Sequence, residues 1–310
     1  MAGENRTSGT VWGVPGDRHC YHNDPKNTKW RCSGVDNKEP ITHIIDLALA
    51  EDGQDKTSEA IFSKQDCLRA AMLAKEEGIV AGINIAEKVF QRQDPEITFE
   101  AYVMDGTRIY PQEKIASVYG PVMSILKTER VALNFLQRMS GIATATAEYV
   151  KRLEGTGTQI LDTRKTAPGH RFLDKLAVRL GGGANHRMGL YDMALIKDNH
   201  IDAVGSIREA VKRIRDAFPD LPVEVEARSL PDVKDLLRIG IDRIMLDNFS
   251  LEDMKEAAHI VNRKIPLEAS GGITLDNIRE VALTGVDYIS IGALTHSVKA
   301  LDITMLIEDT

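Results

Sequence analysis

Six short apolar segments recur in the second half of the chain, and stretches with helical periodicity separate them. Strands that alternate with helices pair in parallel, because each crossover between parallel strands needs a covering element. The pattern therefore predicts an α/β barrel or a doubly wound sheet. A dinucleotide-binding fold is disfavoured, because no GxGxxG sequence follows the first strand and the run GGGAN at Gly181 follows a helical segment. The six segments are TQILDT from Thr158, MALIKDN from Met193, PVEVEA from Pro222, DRIMLD from Asp242, IPLEAS from Ile265 and DYISIG from Asp287.

Polar or glycine residues stand at the ends of these segments. In a β/α barrel the carboxyl ends of the strands and the loops that follow them meet on one face, where the chemistry takes place. One such residue alone is usually a solvated loop residue. Because a polar residue or a glycine recurs at the end of every strand, we expect these residues to share one pocket. The residues are Asp162, Arg164, Lys197, Glu226, Asp247, Ser270 and Gly292.

Two glycine-containing loops are typical of phosphate binding. SGG, Ser270 to Gly272, and GAL, Gly292 to Leu294, follow the last two strands. Barrels bind phosphate at this place through backbone N–H groups and a helix N-terminus, and glycine lets the anion reach the amides. Each loop alone is a common tight turn, whereas the two together indicate a phosphate site.

Positive charge is concentrated at the predicted pocket although the chain is acidic. With 39 Lys and Arg against 46 Asp and Glu the formal net charge is −7, which argues against a nucleic-acid binder. Yet TRKTAPGHR, residues 163–171, and the pair His186–Arg187 bring cations to the pocket that also carries Glu226 and Asp247. Because arginine pairs bidentately with carboxylates and phosphates, we expect a multiply anionic substrate that also has hydroxyl groups or a divalent metal. The charge of Arg187 is expected to lower the proton affinity of His186 and leave it a hydrogen-bond donor to a carboxylate.

The composition predicts a cytoplasmic protein without a membrane segment. No apolar run approaches the roughly 18 residues that a bilayer span requires. Three cysteines are few, and an odd number cannot all pair, so a disulfide framework is not expected. Residues 1–40 show no periodicity and predict an irregular extension. The spacing of His19, Cys20, His22 and Cys32 fits no standard zinc finger, so we interpret them as incidental surface residues.

The middle of the chain predicts a small mixed unit followed by a long helix. Helical periodicity begins at Ile41, KQDCLRAAMLAKEEG predicts a helix that ends at Gly78, and ITFEAYVM predicts a strand. The next helix is predicted from an N-cap at Thr128 to a stop at Gly155. Arg130 would then lie in its first turn, where the helix dipole disfavours a cation, and this suggests a role in ligand binding.

At this point a resemblance to a known family becomes specific. Residues 160–201, ILDTRKTAPGHRFLDKLAVRLGGGANHRMGLYDMALIKDNHI, are similar to the signature region of the quinolinate phosphoribosyltransferases, the decarboxylating nicotinate-nucleotide pyrophosphorylases. The segments ERVALNFLQRMSGIAT, VEVEA, IMLDNFS, LEASGGI and GVDYISIGALTHS extend the resemblance over residues 41–310. It implies that quinolinate and phosphoribosyl pyrophosphate give nicotinate mononucleotide, pyrophosphate and CO2, with Mg2+, in NAD biosynthesis.

The resemblance also implies the fold and the domain limits. The expected fold is α/β, an open, incomplete α/β barrel joined to a smaller N-terminal α/β sandwich domain. Residues 41–127 would form the small domain, which residues 298–310 would complete. Residues 128–297 would form the barrel.

Site residues follow from the resemblance by position. It implies that Lys165, Lys197, Glu226 and Asp247 are catalytic, with Lys165 near the pyrophosphate, and that Glu226 and Asp247 face the ribose and Mg2+, directly or through substrate and water. The equivalent of Arg130 enters the neighbouring subunit's site in this family, which implies a homodimer, able to assemble further, with a composite site. The implied quinolinate ligands are Arg130, Arg164, His186, Arg187 and Lys197, and the implied 5′-phosphate ligands are Ser270, Gly271, Gly272, Gly292 and Ala293.

Departures from the family pattern leave the cationic pocket untouched. The family carries a Gly-x-Gly-Asp-x-Thr turn after Glu-Asp, whereas this chain has the shorter EDGQDKTSE from Glu51 to Glu59. His170 replaces an apolar or aromatic residue.

Three alternatives stand beside the expected activity. A nicotinate phosphoribosyltransferase without decarboxylation would need one carboxylate-binding cluster, and five cations argue against it. A Schiff-base aldolase would need a desolvated Lys197, yet the polar sequence DNH follows that lysine. A catalytically silent binding protein is disfavoured, because every expected catalytic position is filled.

Overall fold

The N-terminal region has some regular structure. The computed structural model describes residues 31–32, 35–36 and 38–308, and the chain divides into two compact units, residues 1–47 and 48–310. Strand β1 (Arg31–Cys32) pairs antiparallel with β2 (Val35–Asp36), and helix α1 (Lys38–Asp52) follows. These elements differ from the irregular extension expected up to residue 40. The predicted surface residues His19, Cys20 and His22 lie outside the described residues.

A four-stranded antiparallel sheet forms the smaller part of the second unit. Its strand order is β14-β3-β7-β5, so the C-terminal strand pairs with a strand from the first third of the chain. A separate two-stranded pair joins β4 to β6. The elements are α2 (Lys56–Ile61), β3 (Cys67–Ala74), β4 (Gly78–Ile79), α3 (Ile83–Gln93), β5 (Thr98–Ala101), β6 (Arg108–Ile109), β7 (Lys114–Pro121) and β14 (Ile303–Ile307).

The prediction of a helix ending at Gly78 is wrong, because most of this segment is strand β3. Its residues have good helix propensity, but β3 pairs with β14 on one side and β7 on the other. Ala70, Met72 and Ala74 are fully buried, as in a central strand. Tertiary pairing therefore outweighs local propensity here.

A single long helix, α4 (Val122–Arg152), begins about two turns before its predicted start. Pro121 occupies the N-cap position, and the Thr128 hydroxyl donates to the Ser124 carbonyl oxygen inside the helix at 2.6 Å. The predicted N-cap at Thr128 is therefore wrong. Arg130 lies in the third turn and is exposed, so the helix-dipole argument for its role does not apply.

Close backbone approach ties α4 to the chain's C-terminal segment. A Cβ atom on Gly141 would lie 2.0 Å from the Lys299 carbonyl oxygen, so only glycine fits. The Leu301 N–H donates to the Gln137 carbonyl oxygen at 3.0 Å, and the Gln137 side chain donates to the Ile303 carbonyl oxygen at 2.6 Å. These contacts hold β14 in the small sheet.

All six predicted apolar segments form strands of one parallel sheet in the order β8-β13-β12-β11-β10-β9. The first two strands of this sheet in chain order, β8 and β9, lie at its opposite edges. The barrel is therefore open between them. The strands are β8 (Gln159–Leu161), β9 (Ala194–Ile196), β10 (Val223–Ala227), β11 (Arg243–Asp247), β12 (Leu267–Ser270) and β13 (Tyr288–Ser290).

Helices separate consecutive strands of this sheet, as the covering of a parallel sheet requires. Beside the free edge of β8, Ala184 makes a single parallel bridge to Leu161, where a further strand would stand in a closed barrel. The helices are α5 (Arg171–Leu180), α6 (Asp198–Val204), α7 (Ile207–Ala217), α8 (Leu230–Leu236), α9 (Leu251–Val261), α10 (Ile278–Ala282) and α11 (Ala293–His296).

The fold class expected from the sequence is confirmed: an open α/β barrel with a smaller, mainly N-terminal α/β domain. Among the described helices, none combines the length and apolar content that crossing a membrane requires.

Candidate active site

The carboxyl edge of the parallel sheet brings the predicted polar residues into register. Asp247, the last residue of β11, lies opposite Ser270, the last residue of β12, and Ser270 lies opposite Ser290. Glu226 stands near the end of β10, beside Met245 of β11. The strand ends therefore form one continuous rim, as a barrel mouth requires.

Glu226 and Asp247 form a carboxylate pair on this rim. Burial raises the pKa of Glu226, the negative charge of Asp247 raises it further, and the positive charge of Lys197 opposes both. The two carboxyl groups lie within hydrogen-bonding reach of each other. Such a pair holds a cation or a developing positive charge, because either neutralises the repulsion between the carboxylates.

Arg164 and Arg187 form the cationic side of the mouth. Both are half-buried, and burial together with the charge of Arg164 lowers the pKa of Arg187. The Arg187 Nη1 donates to the Met193 carbonyl oxygen at 2.9 Å. The Arg164 Nε is buried and has no hydrogen-bond partner among the described residues. Two adjacent guanidinium groups with an unused buried donor suit an anionic ligand.

A buried carboxylate, Asp162, joins the two segments that carry these arginines. It accepts hydrogen bonds from Lys175 Nζ, from Asn185 Nδ2 at 2.5 Å and from the His186 N–H at 2.9 Å. Lys175 Nζ also donates to the His186 carbonyl oxygen at 2.9 Å. Asp162 is fully buried and pairs with Lys175 of α5, so it supports the pocket from beneath. The expectation that Asp162 faces the pocket is therefore wrong.

A second contact set fixes the loop that follows β8. Arg138 on α4 makes a bidentate pair with Asp174 on α5, at 2.9 and 2.8 Å. Asp174 also accepts the Ala167 N–H at 3.3 Å, and Arg171 donates to the Met188 carbonyl oxygen at 3.2 Å. Arg171 thus links the two arginine-bearing segments, as a residue that supports the pocket.

The first glycine loop has a backbone that requires glycine. Gly271 and Gly272 have φ of +99° and +64°, and a Cβ atom on Gly271 would lie 2.1 Å from Asn248 Oδ1. Asn248 also has a positive φ of +54° and donates from Nδ2 to Asp247 at 2.9 Å. Asn248 therefore fills the space between the carboxylate pair and the glycine loop, a contact that sequence reasoning missed.

The second glycine loop lies beside the predicted lysine. A Cβ atom on Gly292 would lie 3.3 Å from Lys165 Cδ, and the Thr295 hydroxyl donates to the Lys165 carbonyl oxygen at 2.9 Å. The loop with Ala293 therefore meets the TRKT segment, as the convergence of strand ends predicts.

His186 and Lys197 occupy different environments. His186 is buried, and burial lowers its pKa, so the predicted direction is correct although burial contributes more than Arg187. Its Nε2 faces two carboxylates of the protein, Glu224 and Glu268, which sequence reasoning missed. The inward alternation of VEVEA and LEAS was the available signal. Lys197 is exposed at the N-terminus of α6, which disfavours the Schiff-base alternative because that chemistry needs a desolvated lysine.

A separate cleft of about 730 Å³ contains none of the predicted site residues. Helix α2, the end of α3 and the start of α4 line it, with Asp55, Phe62 and Lys127 among its residues. We place the candidate site at the barrel mouth, because the cations, the carboxylate pair and the glycine loops meet there.

Fold and site together define an α/β-barrel enzyme that acts on a multiply anionic substrate. The chain matches the family descriptions "Quinolinate phosphoribosyl transferase, N-terminal domain" over residues 55–140 and "Quinolinate phosphoribosyl transferase, C-terminal domain" over residues 142–306. The chain therefore belongs to the quinolinate phosphoribosyl transferase family. The two matches meet within α4, later than the boundary at 127 expected from the sequence, which stays a prediction.

Individual relatives cover most of the chain. A Nicotiana glauca protein, "Quinolinate phosphoribosyltransferase [decarboxylating] 2, mitochondrial", is 43% identical, and the match covers 86% of this chain and 82% of that protein. A Bacillus subtilis protein, "Probable nicotinate-nucleotide pyrophosphorylase [carboxylating]", is 46% identical over 81% of this chain and 87% of that protein. The crystal structure of NadC from Streptococcus pyogenes has a TM-score of 0.84 and 39% identity, and the match covers 89% of this chain and 100% of that one.

Proposed function

We infer that the chain transfers the phosphoribosyl group of phosphoribosyl pyrophosphate to quinolinate, with decarboxylation, and that it thereby acts in NAD biosynthesis. The products are nicotinate mononucleotide, pyrophosphate and CO2. The observation that carries this proposal is the meeting of Arg164 and Arg187 with the Glu226–Asp247 pair and two glycine loops at one barrel mouth. The family matches support the same reaction.

Dicarboxylate binding falls to the cationic side of the mouth. Arg164 and Arg187 pair with the quinolinate carboxylates, and Lys197 adds charge from the neighbouring strand end. Arg130 contributes from the adjacent subunit of a homodimer, and its exposed position on α4 supports this. We also assign His186 to the residues that bind quinolinate, although its side chain is buried.

The two glycine loops and Lys165 bind the phosphorylated partner. Ser270, Gly271 and Gly272 hold the 5′-phosphate with the loop of Gly292 and Ala293, because glycine backbones let the oxygens reach the amides. Lys165 lies against Gly292, and this position beside the second glycine loop supports its assignment to the pyrophosphate.

The carboxylate pair acts on the ribose. Attack of the pyridine nitrogen on the anomeric carbon builds positive charge on the sugar ring as pyrophosphate leaves. Glu226 and Asp247 stabilise that charge, and two neighbouring carboxylates also suit Mg2+, held directly or through substrate and water. When bound, Mg2+ neutralises negative charge on the leaving pyrophosphate.

Decarboxylation needs no organic cofactor. The ring nitrogen of the transferred product is positively charged, and the adjacent carbon releases CO2 because that nitrogen stabilises the carbanion left behind. Water supplies the proton.

The test is to incubate the purified protein with quinolinate, phosphoribosyl pyrophosphate and Mg2+, and to measure CO2 and nicotinate mononucleotide. Arg187→Ala is expected to cost about 2–4 kcal/mol in quinolinate binding and much less in phosphoribosyl pyrophosphate binding. Arg213→Ala is the matched control, because Arg213 is exposed and pairs with Glu209 on the same helix. Equal losses of affinity for both substrates in Arg187→Ala would contradict the assignment. The Mg2+ requirement is tested by omitting Mg2+ and adding EDTA, which should abolish product formation.

We also propose a cytoplasmic location. The small number of cysteines supports a reducing compartment. Cell fractionation with activity measured in each fraction is the test.

A further inference from the structure

Ionisable side chains occupy the interior of the barrel beneath the proposed substrate site. Barrel interiors are usually filled by branched apolar residues. Here Glu224 on β10 and Glu268 on β12 are fully buried, and His186 is 7% exposed. The proposed reaction uses neither carboxylate. Burying such groups costs free energy unless they are paired, so their contacts indicate what they do.

Each group faces partners from several elements. His186 Nε2 lies 2.9 Å from Glu224 Oε2 and 3.6 Å from Glu268 Oε1. Arg243 on β11 donates from Nη1 to Glu268 Oε2 at 3.0 Å, and its guanidinium lies 4.4 Å from the centre of the Tyr288 ring on β13. The 2.9 Å contact between His186 and Glu224 has the distance of an ion pair, although its geometry does not meet the angles of a hydrogen bond.

The other ring nitrogen of His186 fixes the tautomer. The Arg187 N–H donates to His186 Nδ1 at 2.8 Å, so Nδ1 carries a lone pair. In a neutral imidazole the proton is then on Nε2, pointing at the two carboxylates. Burial, which lowers the pKa of His186, supports the neutral ring.

The same three side chains have the types and spacing of a metal site. A metal at Nε2 would need a lone pair on that nitrogen, whereas the contact with Arg187 leaves Nε2 as the protonated nitrogen. The Arg243 charge on Glu268 opposes a second cation at the same carboxylate. The contacts therefore favour a hydrogen-bond donor over a metal ligand.

We propose that Glu224 and Glu268 are positioning residues that hold the Nε2–H of His186 inside the barrel, so that Nδ1 fixes the Arg187 backbone and directs its guanidinium to the substrate carboxylate. This rests on the proposed function. His186 then acts on quinolinate through Arg187. The Asp162 carboxylate holds the His186 N–H on the opposite side, so the segment is fixed from two directions.

The first experiment reads the ring directly. The protein is labelled with 15N-histidine, and His186 is assigned by its absence in His186→Gln. The expected spectrum has a pyridine-like Nδ1 and a pyrrole-like Nε2. The opposite tautomer or a doubly protonated ring would overturn the proposal, as would a bound stoichiometric Zn2+ or Mn2+ that His186→Gln removes.

The second experiment separates positioning from stability. Glu224→Leu should raise the KM for quinolinate about tenfold while kcat and the KM for phosphoribosyl pyrophosphate change less than about threefold, and Glu224→Gln, which keeps an acceptor oxygen, should recover most of the loss. Glu268→Leu should raise the same KM with kcat retained, and Glu268→Gln should recover most of that loss. This second pair of variants guards against a Glu224→Leu variant that does not fold.

Asp105→Asn is the matched control. Asp105 is a partly buried carboxylate outside the barrel whose pKa is also raised by burial, and it accepts the Gly82 and Ile83 N–H groups at 2.7 and 2.9 Å. It should lower stability without changing the KM for quinolinate. An unchanged KM in both the Glu224 and the Glu268 variants would overturn the proposal. Lack of wild-type turnover would reject the proposed function instead, while the ring spectrum would still report the tautomer.

Discussion

Replacing Lys175 by methionine should destabilise the protein strongly, because it leaves the Asp162 carboxylate buried without its counter-charge. Both side chains are almost fully buried, with exposures of 1% and 0%. Breaking a buried pair by removing one partner typically costs about 3–5 kcal/mol. Asn185 and the His186 N–H still donate to Asp162, so we expect a loss near the lower end, about 3 kcal/mol.

The loss should depend on pH in a defined direction. Burial raises the pKa of Asp162 above its unfolded value, and the Lys175 charge opposes that shift. A carboxyl group with a raised folded pKa contributes stability below its unfolded pKa and loses that contribution as the pH rises through the folded pKa. Without Lys175 the pKa of Asp162 rises further. The defect of Lys175→Met relative to wild type should therefore be larger at about pH 8 than at about pH 5.

Urea unfolding followed by circular dichroism at both pH values is the assay. Lys212→Met is the control, because Lys212 pairs with Asp216 at exposures of 67% and 63%, and its urea midpoint should stay close to that of wild type at both pH values. The double variant Asp162→Asn with Lys175→Met removes both charges and should recover much of the loss. A Lys175→Met loss below about 1 kcal/mol, or one equal at the two pH values, would refute this reasoning.

Further predictions concern the proposed site and its assembly. Glu226→Gln should lower kcat by at least about 100-fold with little change in quinolinate affinity, because charge develops on the ribose only in the transition state; a changed dissociation constant with unchanged turnover would contradict this. The acid limb of the wild-type kcat/KM profile, which reports the free enzyme, should lie above the ordinary glutamate range, because burial and Asp247 raise the pKa of Glu226. Gly271→Ala should raise the KM for phosphoribosyl pyrophosphate, because its Cβ would collide with Asn248 and move the loop; steady-state kinetics that match wild type would argue against a phosphate role. An equimolar mixture of Arg130→Ala and Lys197→Ala subunits, after random exchange, should recover about a quarter of wild-type activity, because half of the dimers would be mixed and each of these would have one of its two composite sites intact; verified exchange of subunits without recovery would exclude a shared site.

The α/β class and the barrel rim could be predicted from the sequence because their signals are local. Buried parallel strands appear as short apolar runs, and the polar residue that follows each run marks the carboxyl edge where the loops meet. Glu226, Asp247 and Ser270 were identified in this way, and the structure brings their strand ends into register.

Errors arose where long-range pairing decides the local structure. The run of alanine, leucine and methionine in β3 fits a helix equally well, and only its pairing with β7 and β14 makes it a strand. The start of α4 was placed at Thr128, because a threonine before an apolar run resembles an N-cap, although its hydroxyl bonds within the helix.

The sequence by itself determined the alternation of strands and helices in the barrel, the residue types at the barrel mouth and the membership of a family. Tertiary structure alone decided which way each polar side chain faces. Asp162 and Glu226 both stand near strand ends, yet the first pairs with Lys175 beneath the loops and the second lies on the rim. Whether a charged side chain binds a ligand or supports one depends on partners distant along the chain, because a buried charge must be compensated wherever the fold supplies a counter-charge.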